Sequence, residues 1–153
     1  MKKFFFVLTL IGLIASTSCR KNSGDAGSWT FGADKYTASS AVYSKTDNSL
    51  TASNGANNPS TLTVYFPSQP TASGSYRIVN YTSVPLDTNQ VYVRFINDIS
   101  SYYYFSTGND NVYAKVAVSS GGKISVTIPA AFLESYSSPI SDSAQVTATI
   151  NQQ

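Results

Sequence analysis

An all-β chain, folded as an antiparallel sandwich of two sheets, is what this sequence predicts. Three observations carry the prediction. Residues that suit a pleated surface recur with period two, while strong helix formers are scarce and Glu134 is the only glutamate. Clusters of Gly, Asn, Asp and Pro punctuate the chain at roughly the 8–14-residue spacing of short antiparallel strands. Charged residues make up 12 % of the chain, about half the usual share.

The elements follow in order. A first strand is expected over 28–31, where Trp29 and Phe31 share a face. Gly32-Ala33-Asp34 turns the chain into a second strand over 35–43, and a weaker third covers 49–53. Residues 54–59 read as loop from their Asn, Gly and Pro content. Over 61–66, Leu62, Val64 and Phe66 alternate with Thr61, Thr63 and Tyr65 until Pro67 stops the strand. Further strands are expected over 76–80, 91–98 and 102–106. In 112–119, Val112, Ala114, Val116 and Val118 share one side. Gly121-Gly122 is the strongest hairpin signal, leading into 123–128. Pro129 opens an expected helical turn over 129–134, residues 135–143 read as loop, and 145–150 closes the domain. This number and spacing of strands argues for a sandwich, immunoglobulin-like or related, with a closed barrel as the alternative.

The domain is preceded by a leader. Lys2 and Lys3 stand before an apolar run from Phe4 to Ala15, followed by Ser16, Thr17, Ser18 and Cys19. That is the layout of a secretory signal peptide. The run falls short of the roughly 20 residues that a spanning helix needs. Cys19 is the only cysteine, so it has no disulfide partner within the chain, and a lone thiol in an exported protein asks for an explanation. The stretch from Ser16 to Cys19 resembles a bacterial lipobox, which implies lipid on the cysteine, so the expected organisation is a signal peptide over 1–18, a lipidated Cys19 with a tether over 19–27, and one β-domain over 28–153. Several acyl chains on Cys19 would hold the protein stably, since each buried CH₂ contributes about 0.8 kcal/mol.

Charge and composition exclude several function classes. Removing Lys2 and Lys3 from the ten cations leaves eight, against eight acids. No basic stripe remains to bind nucleic acid. The chain has no histidine, which removes the usual base of nucleophilic catalysis and most zinc or copper sites. Glu134 and Asp142 are the only carboxylates near each other late in the chain, and both flanks read as loop, not as the walls of a cleft. Asn109-Asp110-Asn111, with Asp87 and Asp98 as remote partners, is the best oxygen cluster for calcium, but turn chemistry explains it fully. The expectation is a protein that is not an enzyme and carries no metal or cofactor.

The tyrosines are the informative polar feature. Tyr65, Tyr92, Arg94 and Tyr113 fall on the strand sides opposite the aliphatic residues, and Tyr102-Tyr103-Tyr104-Phe105 places aromatics on both faces of one strand. Tyr65, Tyr92, Arg94 and Tyr113 are therefore the candidate ligand-binding set. Such a face suits a protein partner or the ring of a sugar. Cross-strand tyrosine pairs that only stabilise a sheet are the competing reading.

The stretch Ser16-Thr17-Ser18-Cys19 resembles a bacterial lipobox, although Ser16 stands where leucine is usual. Thr17-Ser18-Cys19-Arg20-Lys21-Asn22 looks like the lipoprotein leaders of Bacteroidota. Trp29-Thr30-Phe31-Gly32-Ala33-Asp34-Lys35-Tyr36-Thr37-Ala38 and Gly122-Lys123-Ile124-Ser125-Val126-Thr127-Ile128-Pro129 resemble the opening and closing hairpins of small Bacteroidota lipoproteins of unknown function. The resemblance implies a β-sandwich lipoprotein of the outer membrane and brings no catalytic residue with it. Arg20 and Lys21 directly after Cys19 favour the periplasmic face over the cell surface. Two functions stay open: a structural or protein-interaction module, or a carbohydrate-binding accessory lipoprotein using the tyrosine face.

Overall fold

A computed structural model describes residues 24–55, 57, 59–97, 102–108, 111–136 and 142–153. The leader, Cys19 and the rest of the tether through 23, together with Asp98, Asn109 and Asp110, lie outside the described residues. Among the described residues eleven strands form: β1 Gly27–Phe31, β2 Asp34–Thr37, β3 Ser40–Ser44, β4 Ser49–Ser53, β5 Thr61–Tyr65, β6 Gly74–Ile78, β7 Gln90–Asn97, β8 Tyr102–Ser106, β9 Tyr113–Val118, β10 Ile124–Ser135 and β11 Ser143–Asn151. The all-β prediction therefore holds.

They join into one sheet in the order β2-β1-β11-β10-β9-β6-β7-β5-β4-β3, with β8 paired to both β10 and β7. Strands β10, β9, β6, β7 and β8 thus close a ring. The arms β11-β1-β2 and β5-β4-β3 stay open, so the sheet as a whole is not a barrel. The arrangement is consistent with a sandwich: Phe31 on β1 meets Phe95 on β7 at 4.4 Å between ring centroids and Tyr104 on β8 at 4.5 Å. Every pairing is antiparallel except β6–β7, whose two-residue register is parallel.

The core lies between the arms. Trp29, Phe95, Leu50, Leu62, Ile124, Ile128, Leu133 and Ile150 are fully buried, and each contributes about 1.5–3 kcal/mol relative to exposure. They fill alternate positions of their strands, as a half-buried sheet requires. The set includes Leu62, with Val64 and Phe66 beside it, as the alternation in 61–66 predicts. Thr63 departs from that alternation: it faces outward yet is buried, with its hydroxyl 3.1 Å from that of Thr51 on β4.

Two expected elements are corrected. The single strand over 35–43 is two strands. β2 pairs β1 and β3 pairs β4, so the chain changes arms at Ala38 and Ser39. Ala38 N–H donates to Gly27 O while Ser39 N–H donates to Ser53 O, which marks the crossing point. The second correction is the helical turn over 129–134. Those residues continue β10, with a bulge between Ile128 and Ala131 in its pairing with β11. Ala131 and Leu133 are buried while Phe132 and Glu134 are exposed, a period of two, not 3.6. Pro129 sits in the bulge, where an interrupted ladder tolerates its missing N–H. The bulge lets β10 pair β9 along its first part and β8 along its last, which is how a strand turns the corner between packed layers.

The packed domain starts earlier than the composition of the tether suggests. Ala26 is buried, Asn151 N–H donates to Ala26 O at 3.0 Å, and Gly27 N–H donates to the Asp25 carboxylate at 2.9 Å. The chain end lies alongside: Gln153 N–H donates to Ala41 O on β3, and its side-chain amide donates to Gly24 O.

Candidate functional site

The site is the outer face of the arm built from β3, β4, β5 and β7, extended by β8 and the last part of β10. Strand pairing alone lines up its side chains. One row runs Val42, Thr51, Thr63, Arg94, Phe105, Glu134 across six strands. At about 4.8 Å per strand it spans some 24 Å. On one side of it lie Tyr65 and Tyr92, and on the other Ile96 and Tyr103. Tyr136, at the end of β10, donates its N–H to Tyr103 O and continues that second line.

Tyr65 and Tyr92 are directly paired across β5 and β7 and stack at 4.3 Å with 11° between planes. The Arg94 guanidinium carbon lies 5.2 Å from the centre of the Tyr65 ring. Burial raises the phenol pKa of both tyrosines above the ordinary value; the charge of Arg94 pulls in the other direction. Arg94 Nε is buried and has no hydrogen-bond partner among the described residues. Asp47, in the turn after β3, has its carboxyl held below the usual range, first by the Ser44 hydroxyl and also by that of Ser49, which donates at 3.0 Å.

The connection between β6 and β7 frames this face at two points. Tyr81 lies 4.5 Å from Phe105, and Tyr136 meets both rings edge-on at 5.7 and 6.0 Å. Further along, Val84, Pro85 and Leu86 line a shallow groove of about 270 Å³ with Tyr65, Tyr92 and Asp47. Tyr136 (69 %), Val42 (62 %) and Val84 (60 %) are the most exposed large apolar side chains among the described residues. Tyr103 and Phe132 add to the same side.

The opposite arm presents different chemistry. Its outer surface carries Ser28, Thr30, Thr127, Thr147 and Thr149 around a depression of about 310 Å³, with the Thr30 and Thr147 hydroxyls 2.7 Å apart.

Three of the four candidate residues, Tyr65, Tyr92 and Arg94, come together. Tyr113 does not join them. It sits on β9 of the ring, opposite Arg77 on β6, outside the row of six strands. Period-two alternation identifies the outward side of each strand but not which layer the strand enters. Phe105, Tyr81 and Tyr136 are the members that sequence reasoning left out. The aromatic run at 102–105 was a signal for the first of them, while Tyr81 lies in a loop with no periodicity to mark it. The two carboxylates weighed for glycoside hydrolysis are used apart: Glu134 stands exposed beside Phe105, and Asp142 accepts the Tyr104 hydroxyl at 3.3 Å. No protein-family model, curated protein or solved structure matches this chain.

Proposed function

We propose that this chain is a lipoprotein of the outer membrane, held by lipid on Cys19 and working by contact with another protein through the aromatic face. One observation carries the contact reading. Of six exposed large apolar side chains among the described residues, five lie on this face or its rim, with Tyr113 the exception. Monomeric proteins rarely gather apolar surface in this way without a partner for it. The membrane part rests on Lys2, Lys3, the apolar run and the lone Cys19, and Arg20 and Lys21 favour the periplasmic side. The reading includes no catalytic step, in keeping with a sequence that has no histidine.

A glycan is the less supported occupant. Tyr65 and Tyr92 turn ring faces toward each other at 4.3 Å, and a pyranose needs an open ring face to stack on. Photo-crosslinking amino acids placed at positions 42, 103 and 136 of the full chain, in its own membrane, test the proposal. The expected result is one discrete adduct with the same identified protein from all three positions, and none from positions 37, 127 and 149 on the Thr-rich arm. Equal capture from both arms, or none from either, overturns it, as does a glycan array that is bound by wild type and lost in Tyr103→Ala.

A further inference from the structure

We infer that Arg94 is where this face grips its partner, by taking a carboxylate from an acidic side chain of that protein. The inference rests on the protein-contact reading and names the chemistry of its centre.

Arg94 occupies the middle of the six-strand row, with Thr63 on one side and Phe105 on the other. It is the one cation in that row. Its position is fixed before any partner arrives: the guanidinium lies over Tyr65, and Tyr65 is itself held against Tyr92. Arginine carries five N–H donors in a rigid fork. Buried donors in folded proteins almost always find an acceptor, yet Arg94 Nε is buried without one among the described residues. Among the described acids on this side, Asp47 feels the charge of Arg94 but gives its hydrogen bond to the Ser49 hydroxyl, and Glu134 lies on the far side of Phe105 in the same row.

A half-buried guanidinium, held over Tyr65 and with an unmet Nε–H, is matched best by a planar acceptor that takes two parallel bonds. A carboxylate is that group. Tyr65 lies against it and Phe105 stands opposite it on β8, an aromatic setting of the kind in which an arginine becomes a hot spot. An Asp or Glu side chain fits better than an acidic sugar, because a uronate would need a ring platform and the stacked tyrosines offer none.

The test uses the full chain, ¹⁵N-labelled and held in detergent, and reads the Nε–H cross-peak of Arg94, identified by its loss in Arg94→Lys. Poly-L-glutamate is the probe, with polygalacturonate and poly-L-glutamine as the other arms. Poly-L-glutamate is expected to move the peak in a saturable way while the other two leave it in place. Arg94→Gln should weaken poly-L-glutamate binding by about tenfold or more, the usual loss for a hydrogen bond to a charged group. Arg94→Lys should weaken it too, since lysine keeps the charge but not the fork. A still peak in poly-L-glutamate, an equal shift in polygalacturonate, or wild-type binding by Arg94→Lys each overturns the inference. Failure of the wider reading is separable. Crosslinking from position 136 that survives Arg94→Gln at full strength removes Arg94 as the anchor and leaves the face intact, whereas capture absent from every position on the face removes the face itself.

Discussion

Removing one buried hydroxyl, in Ser106→Ala, should destabilise this domain more than any exposed serine change. Ser106 is 1 % exposed on β8. Its hydroxyl donates to Val79 O at 2.6 Å and accepts the Val93 N–H at 3.1 Å. It therefore ties three segments together: the end of β6, the middle of β7, and β8. Alanine would orphan one buried donor and one buried acceptor, and each costs about 1–3 kcal/mol when left unsatisfied. The change in volume is too small to add a cavity cost. The expected loss is then about 2–6 kcal/mol, a large fraction of the 5–15 kcal/mol that holds a typical domain. With a urea m-value of about 2 kcal/mol/M, the midpoint should fall by roughly 1–3 M. Ser75→Ala, at an exposed position on β6, should change stability by less than about 0.5 kcal/mol. A Ser106→Ala midpoint within 0.3 M of wild type, at unchanged m, would show that the bridge carries little of the stability and refute the reasoning.

Three other outcomes are expected. Gly27 has φ of +101°, and a Cβ there would stand 1.9 Å from Thr149 O, so Gly27→Ala should lose about 3 kcal/mol or more in urea melts. Gly122→Ala, with φ of +76° but open space around it, should lose only about 1 kcal/mol, because strain alone is at issue. Burial raises the pKa of Tyr36, Tyr65, Tyr92 and Tyr104, the last also through the nearby charge of Asp142. The folded state then holds these protons more tightly than the unfolded one, so the stability they contribute is complete below about pH 10 and lost as pH rises above it. Urea midpoints should accordingly be flat from about pH 5 to 9, since no histidine titrates there, and drop above pH 10 as the ultraviolet absorbance of phenolate rises; a midpoint that climbs above pH 10 would contradict the assigned direction. A palmitate analogue should label the wild-type chain and not Cys19→Ala, and equal labelling of both would remove the anchor.

Much of the fold was legible in local alternation. Leu62, Val64 and Phe66 are buried as their spacing predicts, and Gly121-Gly122 does turn β9 into β10. The two errors share a physical cause: both are places where a strand changes partner. At the first, the inward side chains run Tyr36, Ala38, then Ala41, Tyr43, so the parity slips at Ser39-Ser40, and this slip was visible in the sequence. At the second, Pro129-Ala130-Ala131-Phe132-Leu133-Glu134 has local helix propensity, and burial of Ala131 and Leu133 overrides it. For the site, alternation placed Tyr65, Tyr92 and Arg94 on an outward face. It could not separate Tyr113, because layer membership depends on long-range pairing. Nor could it supply Tyr81, whose place against Phe105 is set by the course of a loop.

On the proposed reading, the short tether narrows the kind of partner the aromatic face would meet. The chain makes five Cα-to-Cα steps from Cys19 to Gly24, whose carbonyl accepts from the Gln153 side chain. Fully extended, these reach at most about 18 Å. In the proposed arrangement the face works within roughly one domain diameter of the bilayer, so a partner on the same membrane is met at high effective concentration. Inserting a 20-residue Gly/Ser linker after Lys21 lengthens the tether about fivefold. Effective concentration falls roughly as the −3/2 power of linker length, so crosslinking from position 136 should drop by about tenfold with no change in urea midpoint. The near-balanced charge of the chain after residue 18 and its exposed rings fit this arrangement, since both would favour unwanted association in a protein free in solution. If the lengthened chain captures its partner as well as wild type, the partner is not confined to the membrane, and the anchor serves retention alone.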